Sequence, residues 1–328
     1  MRPKVLLVHT GGTLGMKPSG DPSSLAPGPS LGELLRQVPE LESLADLTLK
    51  VAFNRDSSTL EPEHCLGLAE QVRREAPGHD GVVIVHGTDT MAFTASVLGF
   101  LLSDLGLPVV LTGSQRPLAL VRSDARGNLV DAVSLAASRV PEVGIAFGDH
   151  WLRGVASDKV SIHRYEAFET PNLPPLAELG VHVQIHPHAG QFARQVPLGI
   201  GPKLESSLAV YTPFPGMPWM KAAPGIRGVV IQAFGAGNLP IERQDLRELL
   251  ADCRERRIPV VITSQCLSGG VDLSLYELGR MALDLGCIPG GHHTRWAALA
   301  KLGLALAAGQ DVEAVRAAFA TSWAGEPV

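Results

Sequence analysis

At three places an apolar run of the chain ends in a turn that mixes glycine with hydroxyl side chains: His9-Thr10-Gly11-Gly12-Thr13, His86-Gly87-Thr88-Asp89-Thr90 and Thr112-Gly113-Ser114-Gln115. These residue types suit acyl transfer. A threonine hydroxyl is a weak nucleophile near neutral pH and attacks a carbonyl only when a neighbouring base or charge arrangement takes its proton. Thr13, Thr88 and Asp89, joined by a lysine, would supply that arrangement. Glycine also serves simply to let a strand turn tightly into a helix, so one such turn says little, whereas three together point to a site. Other chemistries lack their signatures. The Gly11-Gly12 pair does not have GxGxxG spacing, and neither a GxxxxGK(S/T) phosphate loop nor a GxSxG elbow is present, which excludes the usual dinucleotide, ATP and serine-hydrolase readings.

Several neighbours carry a structural reading beside a functional one. Asp89 can cap the helix whose apolar face begins at Met91 and Phe93 and still act in a site. Asp56-Ser57-Ser58-Thr59-Leu60-Glu61 reads as a helix start, because Ser58 and Glu61 have capping-box spacing. The free N–H groups and positive dipole end there would seat a substrate carboxylate at Ser57 and Ser58. His9 and His86 stand where a general base could work, although a histidine at a strand end is more often buried and hydrogen-bonded. Adjacent His292 and His293 would point apart on a helix or a strand and make a poor metal clamp, so no metal is expected, nor any organic cofactor.

Short β-branched runs at Lys4–Val8, Gly81–Val85, Val109–Thr112 and Val143–Phe147 read as strands separated by stretches long enough for helices, the alternation of an α/β sheet. Ligands of such sheets sit outside the carboxyl ends of the strands, so all three turns should face one cleft. Glycine and proline punctuation weakens the periodicity from about Gly190 to Lys203, and a second series begins at Leu208–Tyr211, Gly228–Gln232 and Val260–Ser264. The expected organisation is a larger N-terminal α/β domain over residues 1–190, with a mixed or parallel sheet flanked by helices and carrying the catalytic residues. A linker over 191–207 and a smaller C-terminal α/β domain over 208–328 should follow. Two helices should close the chain, Thr294–Ala308 ended by Gly309 and Asp311–Trp323 capped by Asp311. The segment Pro18–Pro29 is too rich in proline and glycine for a helix and is a candidate lid.

Bulk composition narrows the partners. The 328 residues are 45% hydrophobic, enough to fill two cores. With 28 basic against 33 acidic residues the net charge is -5, and neither sign forms a long block, which argues against nucleic acid and anionic membrane. No apolar run approaches membrane-spanning length, and Val5 to Val8 is too short for an export signal. Cys65, Cys253, Cys266 and Cys287 have no CxxC spacing and read as reduced thiols of a cytoplasmic protein.

Thr10-Gly11-Gly12-Thr13 and His86-Gly87-Thr88-Asp89-Thr90-Met91 together resemble the two signature segments of the L-asparaginase family. Thr112–Gln115, Arg122-Ser123-Asp124 with Asn128-Leu129, Thr170–Pro175 and Gly235–Asn238 extend the likeness over nearly the whole chain, closest to the bacterial cytosolic type I branch. The resemblance implies hydrolysis of L-asparagine to aspartate and ammonia through a threonine acyl-enzyme, in homodimers or dimers of dimers. It further implies that Thr13 is the nucleophile and that Thr88, Asp89 and Lys159 are the second threonine with its acid and lysine partners. Ser57 would hold the substrate α-carboxylate, Asp89 would accept from the α-ammonium, and the backbone carbonyl of Ser114 would receive the side-chain amide. Lys159 comes from the resemblance alone; beside Asp158 it otherwise reads as an exposed turn lysine. Backbone N–H groups at the Thr13 and Thr88 turns would form the oxyanion hole.

Three positions depart from the family pattern. Leu25 stands nearest to the lid tyrosine, before Ala26-Pro27, and Tyr276, in a region that approaches the neighbouring subunit's site in this family, is the expected substitute. Cys266 matches a residue of an allosteric asparagine site, but Gln232 stands where that site has an arginine, so weak or absent cooperativity is expected. His292-His293-Thr294-Arg295-Trp296 replaces an acidic pattern at a helix start. Glutamine is one methylene longer than asparagine, so a weak glutaminase activity is expected beside the main one. Two rival readings keep the fold. An amino-acid-binding sensor would have no use for Thr13 and Lys159 together. An asparaginase-like subunit of a transfer-RNA amidotransferase would carry an extra N-terminal domain, whereas this sequence begins almost directly with the first strand.

Overall fold

Gly81-Val82-Val83-Ile84-Val85 offers apolar atoms to both faces, and all five residues are buried, as a strand covered on both sides requires. The chain is described here by a computed structural model over residues 2–18, 25–27, 32, 36–197 and 199–328. It forms two compact units, one of Met1–Thr170 with Pro174–Phe192 and one of Pro171–Leu173 with Ala193–Val328.

The first unit holds, in chain order, β1 (Lys4–Gly11), β2 (Met16–Pro18), β3 (Leu25–Pro27), β4 (Asp46–Arg55), β5 (Gly81–Val85) and β6 (Val109–Thr112). After them come β7 (Val143–Phe147), β8 (His150–Arg153), β9 (Asp158–Lys159), β10 (Phe168–Glu169), β11 (Ala177–Leu179) and β12 (Val183–Ile185). Among the described residues eight strands make one mixed sheet in the order β12-β11-β8-β7-β6-β5-β1-β4. It is parallel from β4 to β7 and antiparallel from β7 to β12. Residue His9 lies level with Val85, and Val85 with Thr112. The three glycine turns therefore leave the sheet side by side at its carboxyl edge. One face of the sheet packs Val5, Leu7, Val83, Val85 and Val110 against Leu129 and Val133 of the helix Ala125–Ala136.

The structure adds strands beyond those expected. In β4 the residues Leu47, Leu49, Val51 and Phe53 alternate with Thr48, Lys50, Ala52 and Asn54, a period-two signal of an edge strand. The segments β8 to β12 are two to four residues long, too short for periodicity to register. Of the candidate lid Pro18–Pro29, residues 19–24 and 28–29 lie outside the described residues, as does the side chain of Leu25. The backbones of β2 and β3 pair there antiparallel.

The second unit contains β13 (Leu208–Tyr211), β14 (Gly228–Ala233), β15 (Val260–Ser264) and β16 (Ile288–Pro289), parallel and in sequential order. Thr294 accepts from Ala297 N at 3.2 Å and caps the helix Arg295–Ala307. Asp311 accepts from Ala314 N at 2.9 Å and caps the helix Val312–Phe319. That helix stops short of the expected Trp323, because the chain turns there to bring Glu326 inward. Lys301 and Glu326 have fully buried side chains, with Nζ 2.5 Å from Oε1. Glu326 also accepts from Trp323 N at 2.8 Å and Ala324 N at 2.7 Å, and Lys301 donates to Thr321 O at 2.6 Å. Among the described residues no helix is long and apolar enough to cross a membrane.

Removing one charge of such a pair leaves the other buried without compensation, which costs ~3–5 kcal/mol. Glu326→Ala should show that loss as a lower urea midpoint, and the double variant Lys301→Met/Glu326→Gln, which removes both charges, should lose much less.

Candidate active site

The turn after β1 depends on two glycines in the left-handed region, Gly11 at φ 111° and Gly12 at φ 89°. A Cβ on Gly12 would stand 2.6 Å from Cα and N of Gly87, and one on Gly87 would stand 2.6 Å from Ser57 Oγ. The turns after β1 and β5 thus meet backbone on backbone, and the turn after β4 presses the Ser57 side chain against Gly87. Thr13 opens the 3-10 turn Thr13–Gly15 and is partly exposed, and Leu14 O accepts from Leu118 N at 3.2 Å.

Thr88 and Asp89 follow directly. Lys159 Nζ donates to Thr88 Oγ1 at 2.8 Å and to Asp89 Oδ1 at 2.7 Å. The Lys159 side chain is 12% exposed and that of Asp89 is 64% exposed, so the pair has a dry cationic end and a wet anionic one. Two sequence expectations change. Lys159 is not an exposed turn lysine: it is in a strand beside buried Asp158, whose Oδ1 accepts from Lys159 N at 2.8 Å. Asp89 does not cap the following helix, Met91–Leu102, whose N-cap is Thr90. Thr90 Oγ1 instead donates to Ser57 O at 2.9 Å and ties the two turns together.

Ser57 is buried at the start of a single 3-10 turn, Ser57–Thr59. The expected Ser58–Glu61 box is absent because Asp56 is the cap: its Oδ1 accepts from Ser58 N at 2.9 Å and Ser58 Oγ at 2.7 Å. Those two hydrogen bonds, the hydroxyl's first, lower the Asp56 pKa. The helix proper is Pro62–Glu75, with Glu61 as its N-cap residue and Glu61 N donating to His64 Nδ1 at 3.1 Å. Ser58 is exposed with its hydroxyl turned to Asp56, while Ser57 lies against Gly87.

The third turn is pinned from behind. Asn128 Nδ2 donates to Gly113 O at 2.9 Å, and the Asp124 carboxylate accepts from Gln115 N at 2.8 Å and Arg116 N at 3.0 Å. Ser114 between them is buried, and its hydroxyl has no partner among the described residues.

His86 takes the structural role expected of a strand-end histidine, whereas buried His9 leaves Nδ1 without a hydrogen-bond partner among the described residues. His86 is fully buried, with Nδ1 2.7 Å from Gly87 O and Nε2 3.1 Å from Thr94 Oγ1, and burial brings its pKa down to about 4. His9 is buried too, which lowers its pKa. Among the described residues no three His, Cys, Asp or Glu side chains gather to hold a metal. In the second unit Gln232 Oε1 accepts from Thr212 Oγ1 at 2.7 Å, and Cys266 and Tyr276 are exposed.

A model of the asparaginase N-terminal domain matches residues 4–190, and one of the glutaminase/asparaginase C-terminal domain matches residues 210–319. The chain belongs to the asparaginase family. It is 35% identical to L-asparaginase 1 of Escherichia coli, over 98% of this chain and 97% of that protein. It is 33% identical to a glutamyl-tRNA(Gln) amidotransferase subunit of Pyrococcus horikoshii, over 99% of this chain and 76% of that protein. The solved L-asparaginase I of Vibrio cholerae matches with a TM-score of 0.86 at 32% identity, covering 100% of both chains. The two turns that resemble the signatures of the asparaginase family are thus the two that Gly12 and Gly87 bring into contact.

Sequence reasoning could reach Thr13, Thr88 and Asp89 through their turns, but nothing local marks Lys159, which arrives from a strand 70 residues beyond Asp89. Asp124 and Asn128 belong to a segment noted for its likeness, and their task as pins appears only in the folded chain.

The His86 shift makes a pH prediction. Between its ordinary value of 6.5 and about 4, the unfolded chain takes a proton on this histidine that the native one refuses. Stability contributed by neutral His86 is therefore present above about pH 6.5 and lost as the pH falls toward 4. Melting temperatures measured across that range should fall less steeply in His86→Gln than in the unaltered protein.

Proposed function

We propose that this chain is an L-asparagine amidohydrolase in which Thr13 is the nucleophile. The observation that carries the reading is the contact of Lys159 Nζ with both Thr88 Oγ1 and Asp89 Oδ1, beside the turn that bears Thr13. Thr13 Oγ attacks the carboxamide carbon, the C–N bond breaks, and ammonia leaves a β-aspartyl ester on the threonine. Water then cleaves the ester, returning Thr13 Oγ to its protonated form and releasing aspartate. Thr88, Lys159 and Asp89 form the route for proton transfer, with Lys159 holding both partners in one geometry. Backbone N–H groups of the Thr13 and Thr88 turns face the developing oxyanion, where one donor is worth ~10²–10³ in rate.

The substrate's charged end fits the same constellation. Asp89, mostly exposed, accepts from the α-ammonium, and the Ser57–Ser58 turn holds the α-carboxylate. Ser114 O accepts from the carboxamide on the other side, since the β6 turn flanks the β5 turn. The methylene that separates glutamine from asparagine gives only about 10–200-fold discrimination in a pocket, so slow glutamine turnover accompanies the main reaction. The free cysteines suit a reducing, cytoplasmic compartment, and a homodimer or a dimer of dimers is the assembly proposed. The likeness to an amidotransferase subunit supports a second use for the same chemistry, delivery of ammonia to another site.

Ammonia release from L-asparagine, L-glutamine and D-asparagine tests the reading. The unaltered protein should favour L-asparagine, and Thr13→Ala should lose more than about 10³-fold in kcat. Turnover retained in Thr13→Ala would sink the nucleophile assignment. Thermal stabilisation by asparagine without ammonia would make the protein a sensor instead.

A further inference from the structure

Lys159 sits on the hairpin of β9 and β10, only two residue pairs long. The connecting residues organise themselves: Val160 N and Ser161 N donate to Ala167 O at 2.8 and 3.3 Å, and Ser161 Oγ accepts from His163 N and Arg164 N at 3.1 and 2.9 Å. These bonds give the hairpin its shape but do not place it at Thr88. Packing of buried Phe168 on Phe147 and three side-chain bonds to the segment after β6 do. Gln115 Nε2 donates to Ser161 O at 3.2 Å and to Arg164 O at 3.1 Å, and Tyr165 OH donates to Arg122 O at 2.5 Å.

The receiving segment is held independently, since Gln115 N and Arg116 N both donate to the Asp124 carboxylate. Arg122, whose carbonyl meets Tyr165, stands at φ 63°, a conformation a non-glycine residue keeps only where its surroundings over-determine it. The Gln115 amide also matches its task, with both donor hydrogens directed to backbone oxygens of one loop.

We propose that Gln115 and Tyr165 form a clasp that fixes the Lys159 hairpin to the β6 turn, and that both are positioning residues for Lys159. Lysine is a flexible four-carbon stem, and its Nζ must meet Thr88 and Asp89 together from a separate strand. A displacement of ~1 Å in such a constellation costs up to about 10² in rate. The inference rests on the role given to Lys159 above.

The test compares Gln115→Met, Tyr165→Phe and their combination, each made in the unaltered protein and in Lys159→Met, with ammonia release from L-asparagine and melting temperature as readouts. The combined clasp variant should lower kcat by about 10–100-fold with KM little changed. In the Lys159→Met background the same changes should lower kcat no further, because nothing remains to be positioned. Equal losses in both backgrounds, or no loss in the unaltered one, would overturn the clasp. Full turnover in Lys159→Met alone, or none in the unaltered protein, would overturn the reaction and the clasp with it, and both appear before any clasp residue is changed.

Discussion

Gly12 and Gly87 approach so closely that only hydrogen fits between them. This contact brings the ends of two central strands together at the carboxyl edge of the sheet, and Thr13 and Thr88 are the residues that directly follow it. A methyl group at Gly12 would meet backbone atoms of Gly87, which have no rotamer by which to yield. Gly87 in turn admits Ser57, so two close approaches at glycine set the spacing of the turns after β1, β4 and β5. The lateral register at His9, Val85 and Thr112 supplies the other half of the constraint, since strands ending at different levels could not share it.

Around that contact the polar groups are fixed by bonds from outside the cleft. Asn128 and Asp124 hold the β6 turn, Thr90 holds the Ser57 turn, and buried neutral His86 bridges Gly87 O and Thr94. These supports leave the side chains of Thr88, Asp89 and Lys159 to one another. Asp89 shows the consequence: Thr90 takes the N-cap position, so its carboxylate stays open to Lys159 and to solvent.

Lys159 completes the site from the least regular part of the first unit. Its two-pair ladder is weak as secondary structure, and hydrogen bonds from Gln115 and Tyr165 anchor the loop that follows it. Short elements held by side chains can carry a functional group as accurately as a central strand, provided the anchoring segment is itself rigid.

Much of this was legible in the sequence. The apolar runs of β1, β5, β6 and β7 identified themselves because a doubly covered strand has no polar face, and their glycine turns marked Thr13, Thr88, Asp89 and Ser114. Caps at Thr294 and Asp311 were equally local. The Ser58–Glu61 spacing misled because Asp56, two residues earlier, offers a better acceptor to the same serine. Alternation along β4 is present in the sequence, while β8 to β12 are too short to show any period. By itself the sequence determined which segments become central strands and which turns carry hydroxyls, since those follow from the chemistry of neighbouring residues. Only the tertiary structure decided that Lys159 meets Thr88 and Asp89, and that Asp89 is a partner and not a cap. Those outcomes depend on contacts between residues far apart in the chain, and no local pattern encodes them.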